Sequence, residues 1–184
     1  MSLQRYELCV VDEIRATLAE TDEEQIRALV QAILDANRIF VGGAGRSLLM
    51  IRTFAMRLMH LGLVSHVVGE TITPSIEPGD LLIVASGSGQ TRTTLAMVEA
   101  ARSRGARAAV ITAHPGSPIA LVADLVLEVH SPITSTHPDR ASCQPPGSLF
   151  EQCLLIQCEG MVMRLMEKLG TTEEEMRARH TKLE

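Results

Sequence analysis

Five short apolar runs, each followed by a stretch of helical periodicity, limit this chain to one kind of architecture. The runs are 38–42, 64–68, 81–84, 108–112 and 124–129. Strands separated by helices are joined by crossovers rather than hairpins, which makes the sheet parallel and puts helices on both of its faces. The expectation is an α/β chain, a three-layer α/β/α sandwich around a five-stranded, doubly wound parallel sheet. Two helices precede the first strand, over 3–19 and from Thr21 to near Asn37, with Thr21 and Glu24 at capping-box spacing. Others are expected from the first glycine loop to about Leu61, over 89–104, briefly after Pro118, over 148–169, and after Thr172, which stands in capping-box spacing with Glu175.

The length of 184 residues fits a single domain, 1–184, with the helices of 1–37 and the C-terminal helix and tail of 148–184 as parts of it. Aromatic residues are only 2% of the chain, so the core must be built from Leu, Val, Ile, Met and Ala. That scarcity, with a net charge of −5, argues against nucleic acid as a partner, since such proteins present a basic face and stacking platforms. No apolar stretch approaches the ~18 residues of a membrane span and no signal peptide is present, so no membrane partner and a cytoplasmic location are expected. Cys9, Cys143, Cys153 and Cys158 have no spacing that suits zinc, and they read as reduced, mostly packed thiols. The spacing of the histidines likewise suggests no metal site. Residues 130–147 are proline-rich and poor in apolar side chains, and they read as a long loop.

Two glycine-rich loops carry the chemistry. Leu81 to Val84 runs directly into Ser86-Gly87-Ser88-Gly89-Gln90-Thr91, where hydroxyls and a tight turn precede a helix. Unpaired amides and the helix dipole favour an anion at such a place. The other loop is Gly43-Ala44-Gly45-Arg46-Ser47, after the first strand. In open parallel sheets ligands sit beyond the carboxyl ends of the strands, so the two loops should share one edge. A dinucleotide fingerprint is spoiled by Leu48, which stands where Gly or Ala is needed, and no Gly-Lys-Ser/Thr follows either loop.

Arg46 and Ser47 are either surface and capping residues or contacts to an anionic ligand. Glu151 falls in the first turn of the helix at 148–169, where a carboxylate is often only a dipole partner. His60 suits a helix C-terminus, and His180 alone reads as a tail residue. That long helix is apolar over most of its circumference, which fits one face on the sheet and another on a second subunit.

Taken together, these segments resemble the SIS (sugar isomerase) domain family, and within it the 6-phospho-3-hexuloisomerase branch. The resemblance rests on Gly43 to Ser47, Phe54 to Gly62, Gly69-Glu70-Thr71-Ile72-Thr73-Pro74, Ser86 to Thr91, Gly147 to Gln152 and Arg179-His180. It implies interconversion of 3-hexulose 6-phosphate and fructose 6-phosphate through an enediol or enediolate, with no metal or organic cofactor, in a homo-oligomer that is commonly a tetramer. It implies that Gly45, Ser47, Ser86, Gly87, Ser88, Gly89 and Thr91 grip the phosphate, and that Glu151 moves the proton. His180 then assists ring opening or proton shuttling, reaching a neighbouring subunit, and Arg46 stabilises charge on the enediolate oxygens. The tail after His180, Thr181-Lys182, departs from the Ala-Asn frequent in the branch. Isomerisation of another phosphosugar, or phosphosugar sensing without catalysis, remains open on these residues.

Overall fold

A computed structural model describes residues 2–131 and 142–183. In chain order they form α1 (Leu3–Ala19), α2 (Glu23–Asp35), β1 (Ile39–Gly43), α3 (Gly45–His60), β2 (Ser65–Val67), β3 (Leu81–Ala85), α4 (Arg92–Ser103), β4 (Arg107–Thr112), α5 (Pro118–Val122), β5 (Leu125–Glu128), α6 (Ser148–Leu169) and α7 (Glu173–Ala178). The strands make one five-stranded sheet in the order β2-β1-β3-β4-β5, with every neighbouring pair parallel. This is the α/β arrangement expected.

Strand residues alternate between two cores. Ile39, Val41, Leu81, Ile83 and Ile111 face the side where α2, α3 and α6 contribute Ile33, Phe54, Leu58 and Leu154. Phe40, Leu82, Val84 and Val110 face the other side, against Val98 of α4 and Ile119 of α5. A parallel strand buried on both faces has no solvent side, so its sequence reads as an unbroken apolar run.

Two helix starts differ from expectation. α2 begins at Glu23 because Asp22 is the N-cap, its carboxylate accepting from the amides of Glu24 and Gln25, whereas the Thr21 hydroxyl accepts from Gln157 Nε2 at 3.0 Å. An aspartate adjacent to Thr21 is an equally good cap, and the tertiary contact to α6 takes the threonine away. α4 begins at Arg92, not near 89, because Gly89 has φ +60° and cannot continue the helix backward. The box at Thr172 and Glu175 forms as read.

Cys9 and Cys143 are joined in a disulfide across 134 residues of sequence, which corrects the reading of all four cysteines as reduced. Nothing local in the chain signals that pairing. Cys153 and Cys158 are free and buried. The long loop expected at 130–147 lies largely outside the described residues, including His137 and Arg140; its exit from Ser142 to Gly147 is described.

Candidate active site

The order β2-β1-β3-β4-β5 reverses direction between β1 and β3, the point at which an open parallel sheet forms a crevice at the carboxyl ends of its strands. Both glycine loops lie at that point. Gly43 pairs in register with Ala85, and a Cβ on Gly43 would lie 3.0 Å from the Ala85 carbonyl oxygen. A side chain there would crowd that carbonyl and the start of α3, so glycine suits this junction of strand and loop.

The loop from Ser86 to Thr91 is held from beneath by β4 and α5. Ser86 donates its amide to the Ile111 carbonyl at 3.0 Å, and the Gly87 carbonyl accepts from Ala113 N at 3.1 Å and from Thr112 Oγ1 at 3.2 Å. Ile119 N donates to the Gly89 carbonyl at 3.1 Å. Ser86 is buried, with its hydroxyl 3.3 Å from that of Thr91; Thr91 is half-buried and Ser88 is exposed. Gly89 and Gln90 already donate their amides, to the Ser86 carbonyl and to Ser88 Oγ. The amides of Gly87, Ser88 and Thr91 have no partner among the described residues, so the cradle is narrower than the whole run of amides. Thr112 and Ser117, which brace it, carry no local signal of that role, because they come from the strand and loop next door.

Helix capping singles out the same place. α1, α2, α5 and α7 are each capped by the side chain of Ser2, Asp22, Ser117 or Thr172. α3, α4 and α6 start at Ala44, Thr91 and Gly147 with no side-chain cap bond. All three open N-termini meet at the crevice, where unpaired amides and positive dipole ends suit an anion. Gly45 and Ser47 stand in the first turn of α3, Gly45 exposed and Ser47 half-buried.

α6 brings the carboxylate. A Cβ on Gly87 would lie 3.1 Å from the Phe150 ring, so the first turn of α6 lies directly over the second loop. The neighbouring Glu151 side chain is only 12% exposed and is ion-paired with Arg46 Nε, which is itself mostly exposed. Two residues 105 positions apart in sequence therefore meet at the mouth of the hydroxyl pocket.

His180 is elsewhere. Its ring stacks on buried His60 at 5.2 Å between centroids, and Arg179 Nη1 donates to the His60 carbonyl at 3.0 Å. His60 ends α3 and Arg46 begins it, so the two lie about 21 Å apart along the helix axis. Within one chain, Glu151 and Arg46 are brought together and His180 is not. Burial pushes the His60 imidazole below its ordinary value, and the neighbouring His180 and Arg57 push it the same way.

The fold and these loops define a doubly wound α/β protein with a candidate anion site at its switch point, built from hydroxyls, open helix starts and one carboxylate–guanidinium pair. The SIS domain family model matches residues 32–154, and the chain belongs to that family. The matched span includes both loops, Arg46 and Glu151. The chain is 45% identical over 175 residues to 3-hexulose-6-phosphate isomerase of Mycobacterium gastri, covering 95% of this chain and 88% of that one. It is 43% identical to 3-hexulose-6-phosphate isomerase of Methylomonas aminofaciens, covering 99% of this chain and 100% of that protein. A Methanococcus jannaschii crystal structure, from which a molecular function of 3-hexulose-6-phosphate isomerase was inferred, superposes with a TM-score of 0.84 at 34% identity, covering 95% of this chain and 97% of that one.

Proposed function

We propose that this protein is a 3-hexulose-6-phosphate isomerase, interconverting 3-hexulose 6-phosphate and fructose 6-phosphate. The observation that carries the reading is the Glu151–Arg46 pair standing over three uncapped helix starts and the Ser86–Thr91 loop. The phosphate binds the hydroxyls of Ser47, Ser86, Ser88 and Thr91 and the free amides of the second loop, with Gly45, Gly87 and Gly89 keeping the backbone accessible. That fixes the end of the sugar where no bond changes.

Moving the carbonyl from C3 to C2 requires a base to take the proton from C2, an enediolate spanning C2 and C3, and return of a proton to C3. Glu151 is the base and then the acid. Arg46, which pairs with Glu151 in this structure, donates to the developing enediolate oxygen, where a fixed cation does most for the transition state. In this reading the chain works as one domain, in the cytoplasm, in a homotetramer. His180, remote from Glu151 in its own subunit, serves the pocket of a neighbour. Exposed Ile156 and Met163 on α6, and Met56 on α3, support such an assembly.

The test is direct: supply 3-hexulose 6-phosphate and follow fructose 6-phosphate. Glu151→Gln is expected to lower kcat by roughly 10²–10⁴ with KM changed little. An equally fast variant removes Glu151 from the role of base, and turnover of a different phosphosugar in a substrate panel replaces the substrate.

A further inference from the structure

The disulfide stands where it can govern the segment that delivers Glu151. Cys9 lies on α1, and Cys143 lies in the short exit segment Ser142 to Gly147 that ends at the N-cap of α6. Glu13, one turn beyond Cys9, holds the same segment without a covalent bond. Its carboxylate accepts from Ser142 Oγ at 2.8 Å, from the Cys143 amide at 2.6 Å and from Gln144 Nε2 at 2.8 Å. Burial would push this carboxyl up, but the three hydrogen bonds together outweigh it and hold Glu13 below its ordinary value. The exit segment is thus pinned to α1 twice, and one of the two pins is reducible.

The two pairs of cysteines are chemically distinct. Burial pushes the Cys153 thiol up to about 11, and raises that of Cys158 as well, so neither forms a thiolate readily. Cys143 is exposed and Cys9 half-buried, beside a surface depression of about 590 Å³ lined by Arg5, Leu8, Cys9, Asp12, Glu13 and Ala16. A reductant reaches the Cys9–Cys143 bond and not the other two sulfurs. The donor atoms of Cys9, Glu13 and Cys143 also lie within 4.8 Å of one another, close enough for a cation in the reduced form. Glu13 is, however, already occupied by its three donors, which leaves two ligands where a stable site needs three or four.

We propose that Cys9–Cys143 is a reversible thiol–disulfide site that sets the order of residues 142–151, oxidised for the ordered state and reduced for the loosened one. A dithiol supplies the electrons. Its thiolate attacks exposed Cys143 Sγ, the Cys9–Cys143 bond breaks, and Cys9 leaves as a thiolate that takes up a proton. The second thiol of the reductant then displaces Cys143 from the mixed disulfide. The reductant becomes a cyclic disulfide, and the protein gains two thiols and two electrons. The effect on turnover rests on the role of Glu151 proposed above; the effect on order does not.

The experiment poises full-length wild-type protein at a series of reduced-to-oxidised dithiothreitol ratios. At each ratio the Cys9 and Cys143 thiols are counted by maleimide mass-tagging, amide exchange of residues 142–151 is measured, and isomerase activity is assayed. Reduction is expected to speed exchange in 142–151 by tenfold or more and to lower kcat/KM several-fold, all with one midpoint. Cys9→Ser should sit at the reduced level at every ratio, and Cys153→Ser should keep the response. A disulfide absent at every ratio, or one whose reduction leaves exchange in 142–151 unchanged, overturns the proposal. Exchange that follows the redox state in a protein with no isomerase activity in either form supports the redox site and overturns the substrate reading instead.

Discussion

At the scale of single residues, the pocket depends on positions where a side chain cannot be added. Gly89 combines φ +60° with a location where a Cβ would overlap Ser117 Oγ. Gly89→Ala is therefore expected to cost ~1–3 kcal/mol, read as a lower urea midpoint, and to raise KM for the phosphosugar through displacement of the loop. Adding Ser117→Ala should recover only the part due to the hydroxyl, because Ser117 Cβ would still overlap the added methyl and the backbone strain is untouched. Glu151 shows how far a residue can be read locally. A carboxylate in a first helical turn is ordinary by itself, and what distinguishes this one is Arg46 approaching from another helix, with the Gly87 loop beneath its neighbour Phe150.

At the scale of elements, the edge of the sheet opposite the crevice is tied by charge. Arg38, just before β1, makes a two-pronged contact to Asp80, just before β3, at 3.1 and 2.6 Å, and Asp80 is 2% exposed. Burial pushes the Asp80 carboxyl up, but the Arg38 guanidinium and the Glu77 amide more than offset it and hold the group low. Removing the cation leaves the buried carboxylate with only the Glu77 amide, so Arg38→Ala should lower the urea midpoint at neutral pH. The Asp80 contribution is complete above its ordinary value of 3.8 and is lost as pH falls below it, because the unfolded chain then binds the proton first. The difference between wild type and Arg38→Ala should therefore shrink in acid. α7 behaves in the same sense through a different group. His60 is held neutral by burial beside His180 and Arg57, so its contribution is complete above 6.5 and declines as pH drops below that. Protection factors of the amides in residues 173–180, exchange corrected for the intrinsic rate at each pH, should fall as the pH is lowered from 7 to 5, and His60→Gln should flatten that dependence.

At the scale of the whole molecule, the separation of His180 from Glu151 along α3 has a consequence for assembly. If His180 serves a neighbour's pocket, Glu151→Gln and His180→Ala subunits, each nearly inactive alone, should regain activity when mixed and reassembled, because some pockets then receive both native side chains. Mixtures as inactive as their components would show that His180 and Glu151 do not act across subunits. Substituting Met163 and Ile156 by Glu should lower the subunit count seen by light scattering.

Much of this was legible before any fold was known. The strand runs, the bounds of α1 and α6, the Thr172 cap and the hydroxyl-rich loop after β3 are local patterns, and local patterns record burial and backbone conformation directly. The start of α2 shifts because neighbouring caps compete on small energy differences that tertiary contacts decide, and that of α4 because Gly89 turns through positive φ just before it. Apolar runs alternating with helical periodicity are enough to specify a parallel α/β sheet, and the glycine and hydroxyl motifs are enough to specify the SIS family and a candidate anion-binding edge. That Arg46 meets Glu151, that Cys9 meets Cys143 and that His180 lies at the far end of α3 emerges only in the packed chain. Those are contacts between segments up to 134 residues apart. No periodicity encodes them, because they exist only once the crossovers have stacked the helices on the sheet.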